Sequence, residues 1–243
     1  MQPFSLPRRD VPCIVLRARD VARDMRRLTL GGPELSAWLA RPGVDQPGAW
    51  VKVFPPGVPG RAYTLRGIDF EASSVEIDFE ASSVEIDFVV HGDAPGTVSE
   101  WARRARPGDA VSIAGPREGG FSLLADTRWV WLGADASAWP AASRIIESLP
   151  GGIQVLGVRH PAGDDDWPAI ASARAPQWAA RSLPPGGDEP SAPAPDGPGQ
   201  VWLAGQAAWV KAWRAHWLQR LRFDPARLSA KGYWKAGEQD YKE

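Results

Sequence analysis

Sulfur and imidazole are scarce in this chain: one cysteine, Cys13, and three histidines, His91, His160 and His216, in 243 residues. A single thiol excludes an internal disulfide and a thiolate metal cluster. No histidine has a second one at ligand spacing, so a zinc or iron site held by the protein is not expected. No apolar run reaches the ~20 residues of a membrane span. The opening MQPFSLPRRDVP has no apolar core like that of a signal peptide, so a cytoplasmic setting is the default expectation. Charge of one sign is also missing. The net value of -1 gives no pull toward nucleic acid or an anionic membrane.

What is present is an ordinary globular composition, 44% hydrophobic and 23% charged. The first half reads as short β-branched runs parted by Gly, Pro and Asp: CIVLRARDV, MRRLTLGG, AWVKVFPP, RAYTLRGI, VEIDFVVHG and DAVSIAGP. Six such runs predict a small antiparallel barrel. GTVSEWARRA reads as one short helix, capped by its Thr and Ser and stopped by RPGD. After Phe121 strands alternate with helices, RWVWLGAD before SAWPAASRIIESLP and GQVWLAG before QAAWVKAWRAHWLQRL, which predicts a parallel sheet. The expected architecture is a six-stranded barrel over residues 1–121 and an α/β unit over 122–243. Residues 183–200, rich in Pro and Gly, are expected to form a flexible surface loop.

Two stretches can carry chemistry. In RAYTLR the strand period puts Arg61 and Tyr63 on one face, a guanidinium beside a flat ring. That pair suits a ligand with both an anion and a ring system; a strand whose Arg and Tyr merely face solvent has the same spacing. In DFVVHGDAPGTVSEWA a strand ends near His91, and a helix opens at Thr97 to Ser99, where free amides favour phosphate.

The order R-x-Y-T-x-R, D-F-V-x-H-G, G-x-x-S-x-W-A and P-G-D-x-V-x-I-A-G-P resembles the siderophore-interacting proteins, flavin-dependent ferric-siderophore reductases of the ferredoxin-reductase superfamily. DASAWPAASRIIESLP and KGYWKAGEQDY are similar to their later motifs, and the resemblance runs from about Val11 to the C-terminus. It implies FAD held by Arg61, Tyr63 and Thr64, with Phe88, Val89, His91 and Gly92 beside the flavin and Gly96, Thr97, Val98 and Ser99 at the pyrophosphate. It implies a nicotinamide donor, NADH or NADPH, or else a reduced ferredoxin, with Asp135, Ser137 and Gly205 at the dinucleotide. It implies Lys52, Lys231 and Lys235 around an anionic ferric siderophore as substrate. With no apolar span, membrane insertion is not expected, and a monomer or weak dimer is expected. Ala136 and Gln206 depart from the family pattern in the nucleotide turns, and Lys235 replaces an arginine. A flavin reductase with another acceptor, or a siderophore- or flavin-binding protein without turnover, fits the same motifs.

Two further features are conspicuous. Trp209, Trp213 and Trp217 recur every fourth residue, which predicts a helix packing face. The unit FEASSVEID occurs twice, Phe70–Asp78 and Phe79–Asp87. Nine is odd, so the two copies cannot show the same face in one continuous strand. The copy joined to FVVHG is expected to keep the ladder, and the other to lengthen the connection.

Overall fold

A computed structural model of the chain describes residues 10–69, 82–90, 95–161, 166–170, 172, 176–179, 184 and 194–238. The chain divides into two units, Met1–Gly119 and Gly120–Glu243.

The first unit is a closed antiparallel barrel of β1 (Val11–Ala22), β2 (Met25–Gly31), β3 (Trp50–Phe54), β4 (Arg61–Asp69), β5 (Ser83–Val89) and β6 (Ala110–Arg117). Around the barrel the strands run β1-β2-β5-β4-β3-β6. The six β-branched runs of the sequence are these six strands. Alternation is clear in β1, where Val11, Cys13 and Val15 are buried and Ile14 and Leu16 are exposed. Leu28, Val51, Val53, Leu65, Ile86 and Ile113 fill the interior. Burial, with the nearby charge of Glu34, pushes the Cys13 thiol up to about 12. It is therefore an unreactive packing group at neutral pH.

Two short helices accompany the barrel, α1 (Leu35–Leu39) and α2 (Val98–Arg104). Opposite one another on β2 and β5, Arg27 and Asp87 form a buried bidentate pair, Nε donating to Oδ1 at 2.6 Å and Nη2 to Oδ2 at 2.9 Å. The second copy of the doubled unit thus supplies the start of β5, from Ser83 to Asp87, and the carboxylate of this pair. The first copy lies outside the described residues.

The second unit holds β7 (Trp129–Asp135), α3 (Trp139–Ser148), β8 (Gln154–His160), β9 (Gln177–Trp178), β10 (Gly199–Gln206), α4 (Ala207–Ala215) and β11 (Leu228–Trp234). Its parallel sheet runs β11-β10-β7-β8-β9. The expected loop 183–200 is cut short, because Gly199 and Gln200 already pair with β7; residues 185–193 lie outside the described residues. Helix α4 passes into a π-turn at His216–Arg220. Through it Trp209, Trp213 and Trp217 stay buried, packed with Trp129, Val158 and Leu203. The tryptophan stripe is a packing face.

Candidate functional site at the barrel and at the sheet edge

In the barrel, β4 carries the Arg-x-Tyr-Thr run. Its register opposes Arg61 to Val53 and Tyr63 to Val51. Both side chains therefore lie on the face that lines the core, half-buried, while Thr64 is buried on the other face. The Tyr63 ring centre lies 4.4 Å from that of Phe88, and Phe88 lies 6.1 Å from Trp101 of α2. Burial raises the Tyr63 pKa far more than Arg61 lowers it, so the phenol stays neutral.

The α2 start is a capping box: Thr97 Oγ1 accepts from Glu100 N at 3.1 Å, and Gly96 N donates to Glu100 Oε2 at 2.9 Å. Gly96 has φ of +74° and open space where a side chain would stand. A cleft of ≈ 210 Å³ lies here, lined by Val58, Thr97, Glu100, Trp101, Arg104 and Asp109 among others. Val58, from the turn before β4, closes one side of the cleft against the helix start.

The structure changes three expectations about these residues. Phe88 is fully buried with its ring against Tyr63, so only its main chain can face a ligand. Val89 and Val98 are also buried, so only their main chains can face a ligand. The hydroxyls of Thr97 and Ser99 also have partners inside the protein, Thr97 Oγ1 accepting the cap bond and Ser99 Oγ donating to Val89 O at 2.9 Å. His91 and Gly92 lie outside the described residues. A half-buried cation, a half-buried neutral phenol and an open left-handed glycine still fit an anionic cofactor with a planar ring.

In the second unit the expected nucleotide residues gather at the carboxyl ends of the strands. Asp135 ends β7 and is 5% exposed. Its Oδ1 accepts from Ser137 N at 2.9 Å, Ser137 Oγ at 2.6 Å and Ala138 N at 3.1 Å. Its Oδ2 accepts from Gln206 N at 2.7 Å and Trp234 Nε1 at 2.8 Å. Gly205 has φ of +132°, and a Cβ there would stand 2.5 Å from the Asp135 carboxyl carbon. The expectation that Asp135 and Ser137 present polar atoms to a dinucleotide is therefore revised. Their oxygens hold the turn and the neighbouring strands in place. Gln206, the departure from the family pattern, caps α4 by accepting from Trp209 N at 2.7 Å.

The three expected lysines have different settings. Lys52 is half-buried on β3 opposite Ala62. Lys231 is exposed on β11, and Lys235 pairs with Glu238 in the turn beyond it. Sequence reasoning missed Glu100 and Trp234. Thr97-Val-Ser-Glu100 is a legible capping-box pattern, whereas Trp234 sits in a strand whose Gly and Lys hide it. Among the described residues no group of three or more His, Cys, Asp or Glu could hold a metal, and no helix is long and apolar enough to cross a membrane.

A closed six-stranded barrel carrying an Arg-x-Tyr-Thr strand, followed by a parallel five-stranded sheet, defines the flavoprotein class of ferredoxin-reductase architecture. Two family models match, the siderophore-interacting FAD-binding domain over residues 55–120 and the siderophore-interacting protein over residues 127–237. The chain belongs to the siderophore-interacting protein family, and FAD is its cofactor. A siderophore utilization protein from T. fusca has the same fold, with a TM-score of 0.72 at 25% identity over 98% of this chain and 97% of that one. Ferric vibriobactin reductase ViuB of Vibrio cholerae is 29% identical over 56% of this chain and 52% of its own length. The NADPH-dependent ferric-chelate reductase of Escherichia coli is 29% identical over 58% of this chain and 57% of its own length. The chain thus spans about half the length of these two curated relatives.

Proposed function

We propose that this protein is a flavin-dependent ferric-siderophore reductase that draws its electrons from NADPH or NADH. The observation that carries the reading is the grouping of Arg61, Tyr63 and the Gly96–Ser99 turn in one barrel, joined through the Tyr63–Phe88–Trp101 rings, in a chain of this family. Two relatives named as ferric reductases give it its substrate class. When bound, FAD supplies the redox chemistry, taking an electron pair and giving up single electrons.

The residues divide the remaining work. Arg61 neutralises the pyrophosphate, and Tyr63 offers a neutral ring to the isoalloxazine, with Thr64 holding the strand behind it. The turn from Gly96 to Ser99 contributes main-chain N–H groups at the helix start. His91 and Gly92 complete the set by motif. No acid or base on the protein is needed to reduce Fe(III), and Fe(II) is a poorer partner for hard oxygen ligands. Lys52, Lys231 and Lys235 attract the anionic chelate, a field effect that raises encounter rate and weakens with salt.

The test is spectroscopic. The purified protein with FAD is expected to show a bound-flavin spectrum that bleaches on anaerobic NADPH or NADH and recovers on adding a ferric tris-catecholate complex, with Fe(II) trapped by ferrozine. A flavin that binds but is bleached by neither nucleotide would remove the donor from the proposal. A protein that binds no FAD at micromolar concentration would remove the reductase itself.

A further inference from the structure

We propose that Trp50, on the outward face of β3, selects ferric chelates with negatively charged aromatic arms. This rests on the reductase reading and narrows its substrate class. Along β3 the side chains of Trp50, Lys52 and Phe54 alternate with the buried Val51 and Val53 and are themselves half-buried. An aromatic, a cationic and a second aromatic group thus follow one another on one face. The neighbouring strands keep mostly small residues beside this row. Lys52 stands between Ala62 of β4 and Ala114 of β6, and Phe54 is opposite Ser112. Trp50 stands between Thr64 of β4 and Arg117 of β6. None of these cross-strand neighbours is acidic; Glu118 follows just beyond β6. The row begins one residue from Tyr63, because Thr64 is next to it in the β4 motif.

Three features build the face. Beside Trp50 the strand β6 takes three steps, from Ala114 to Arg117, while β3 takes two, from Lys52 to Trp50. A bulge of this kind re-aims a side chain, and here Arg117 Cζ comes to 5.2 Å from the centre of the Trp50 ring. Gly115, inside the bulge, has φ of +152°, and a Cβ there would stand 3.1 Å from Val51 Cγ1 and 3.2 Å from Trp50 O, so the bulge depends on glycine. The edge of the indole is fixed as well, Nε1 donating to Glu118 O at 3.0 Å. A guanidinium over the indole and a lysine two residues along the strand set positive charge beside a π surface. An Fe(III) tris-catecholate matches both, being an anion whose arms are flat aromatic rings. A tris-hydroxamate complex of Fe(III) has neither net charge nor an arene. Cations alone attract any anion; the indole adds a preference for an aromatic one.

The experiment measures equilibrium binding to the FAD-loaded protein by calorimetry, with gallium(III) in place of iron so that no reduction intervenes. The probes are the gallium(III) complexes of a tris-catechol chelator and of a tris-hydroxamate chelator. Wild type is expected to prefer the catecholate complex. Trp50→Leu is expected to weaken that complex about tenfold, the size of one stacking contact, and to leave the hydroxamate complex unchanged. Trp50→Phe keeps a ring and is expected to fall between. The ratio of wild type to Trp50→Leu is expected to persist in high salt, where the attraction of Lys52 and Arg117 is screened. Equal binding of the catecholate complex by wild type and Trp50→Leu would overturn the proposal, while reduction of the ferric complex would leave the reductase reading intact. A wild type without preference, an equal loss for both complexes, or a ratio that vanishes in high salt would overturn it too. A wild-type protein that binds neither gallium complex and reduces neither ferric complex would overturn both.

Discussion

Among the described residues each unit buries one carboxylate, Asp87 in the barrel and Asp135 in the sheet, at 3% and 5% exposure. They are satisfied in opposite ways. Asp87 meets one guanidinium on the neighbouring strand, and Glu85 adds a second contact to the same Arg27 at 3.2 Å. Asp135 meets no cation among its hydrogen-bond partners; it gathers neutral N–H and O–H donors from β10, β11 and the turn after β7. An ion pair closes on itself and needs nothing from elsewhere. A carboxylate bound by neutral donors organises every group that donates to it, and here those groups stand at the carboxyl ends of the strands.

This contrast can be broken by mutation. The largest effect is expected for Asp135→Leu, which strands five buried or part-buried donors and should lower stability by about 5 kcal/mol, at ~1 kcal/mol for each lost bond. Urea unfolding monitored by tryptophan fluorescence measures it. Next, Asp87→Leu leaves Arg27 buried without its bidentate partner and should cost about 3–4 kcal/mol. The double change Arg27→Met with Asp87→Leu should restore most of that loss. No such rescue by a single second change is expected at Asp135. If the double barrel variant stays as unstable as the single one, the comparison fails.

Smaller effects sharpen the picture. Thr97→Ala removes the α2 cap and should cost about 1 kcal/mol, with a matching loss of FAD affinity measured by flavin fluorescence. The smallest effect concerns His216, whose pKa burial and then Arg220 hold below 6.5. The folded protein favours neutral imidazole. Its contribution to stability is therefore full above pH 6.5 and is lost as pH falls toward the folded value. Wild type should lose more stability between pH 7 and pH 5 than His216→Phe does.

Legibility followed how local each feature is. The six barrel strands could be read because alternation and turn residues are properties of a few neighbouring positions. The tryptophan packing stripe could be read for the same reason, its period being that of one helix. Strand β11 escaped because LSAKGYW carries Gly and Lys and gains its strand from pairing with β10 rather than from its own pattern. The task of Asp135 escaped because three of its partners sit within three residues but the others are Gln206 and Trp234, distant in the chain. The side-chain direction of Phe88 escaped because a motif tells which residues recur together, not which of them faces outward. The barrel register then places Phe88 behind Tyr63.

The doubled segment has a consequence for how the chain reaches this fold. Ser-Val-Glu-Ile-Asp-Phe occurs at 74–79 and again at 83–88, so two identical candidates compete for the place of β5 between β2 and β4. The earlier candidate would close a shorter connection from Asp69, four residues against thirteen, an entropic advantage of about 1 kcal/mol. It could also present Asp78 to Arg27 just as Asp87 does. The two part company one residue later, where the native strand has the buried Val89 and the rival would have Glu80. Burial of Val89 where the rival would place Glu80 favours the later copy despite its longer closure. Refolding should show a slow second phase as mispaired chains unlatch, and deleting either nine-residue copy should leave a single phase.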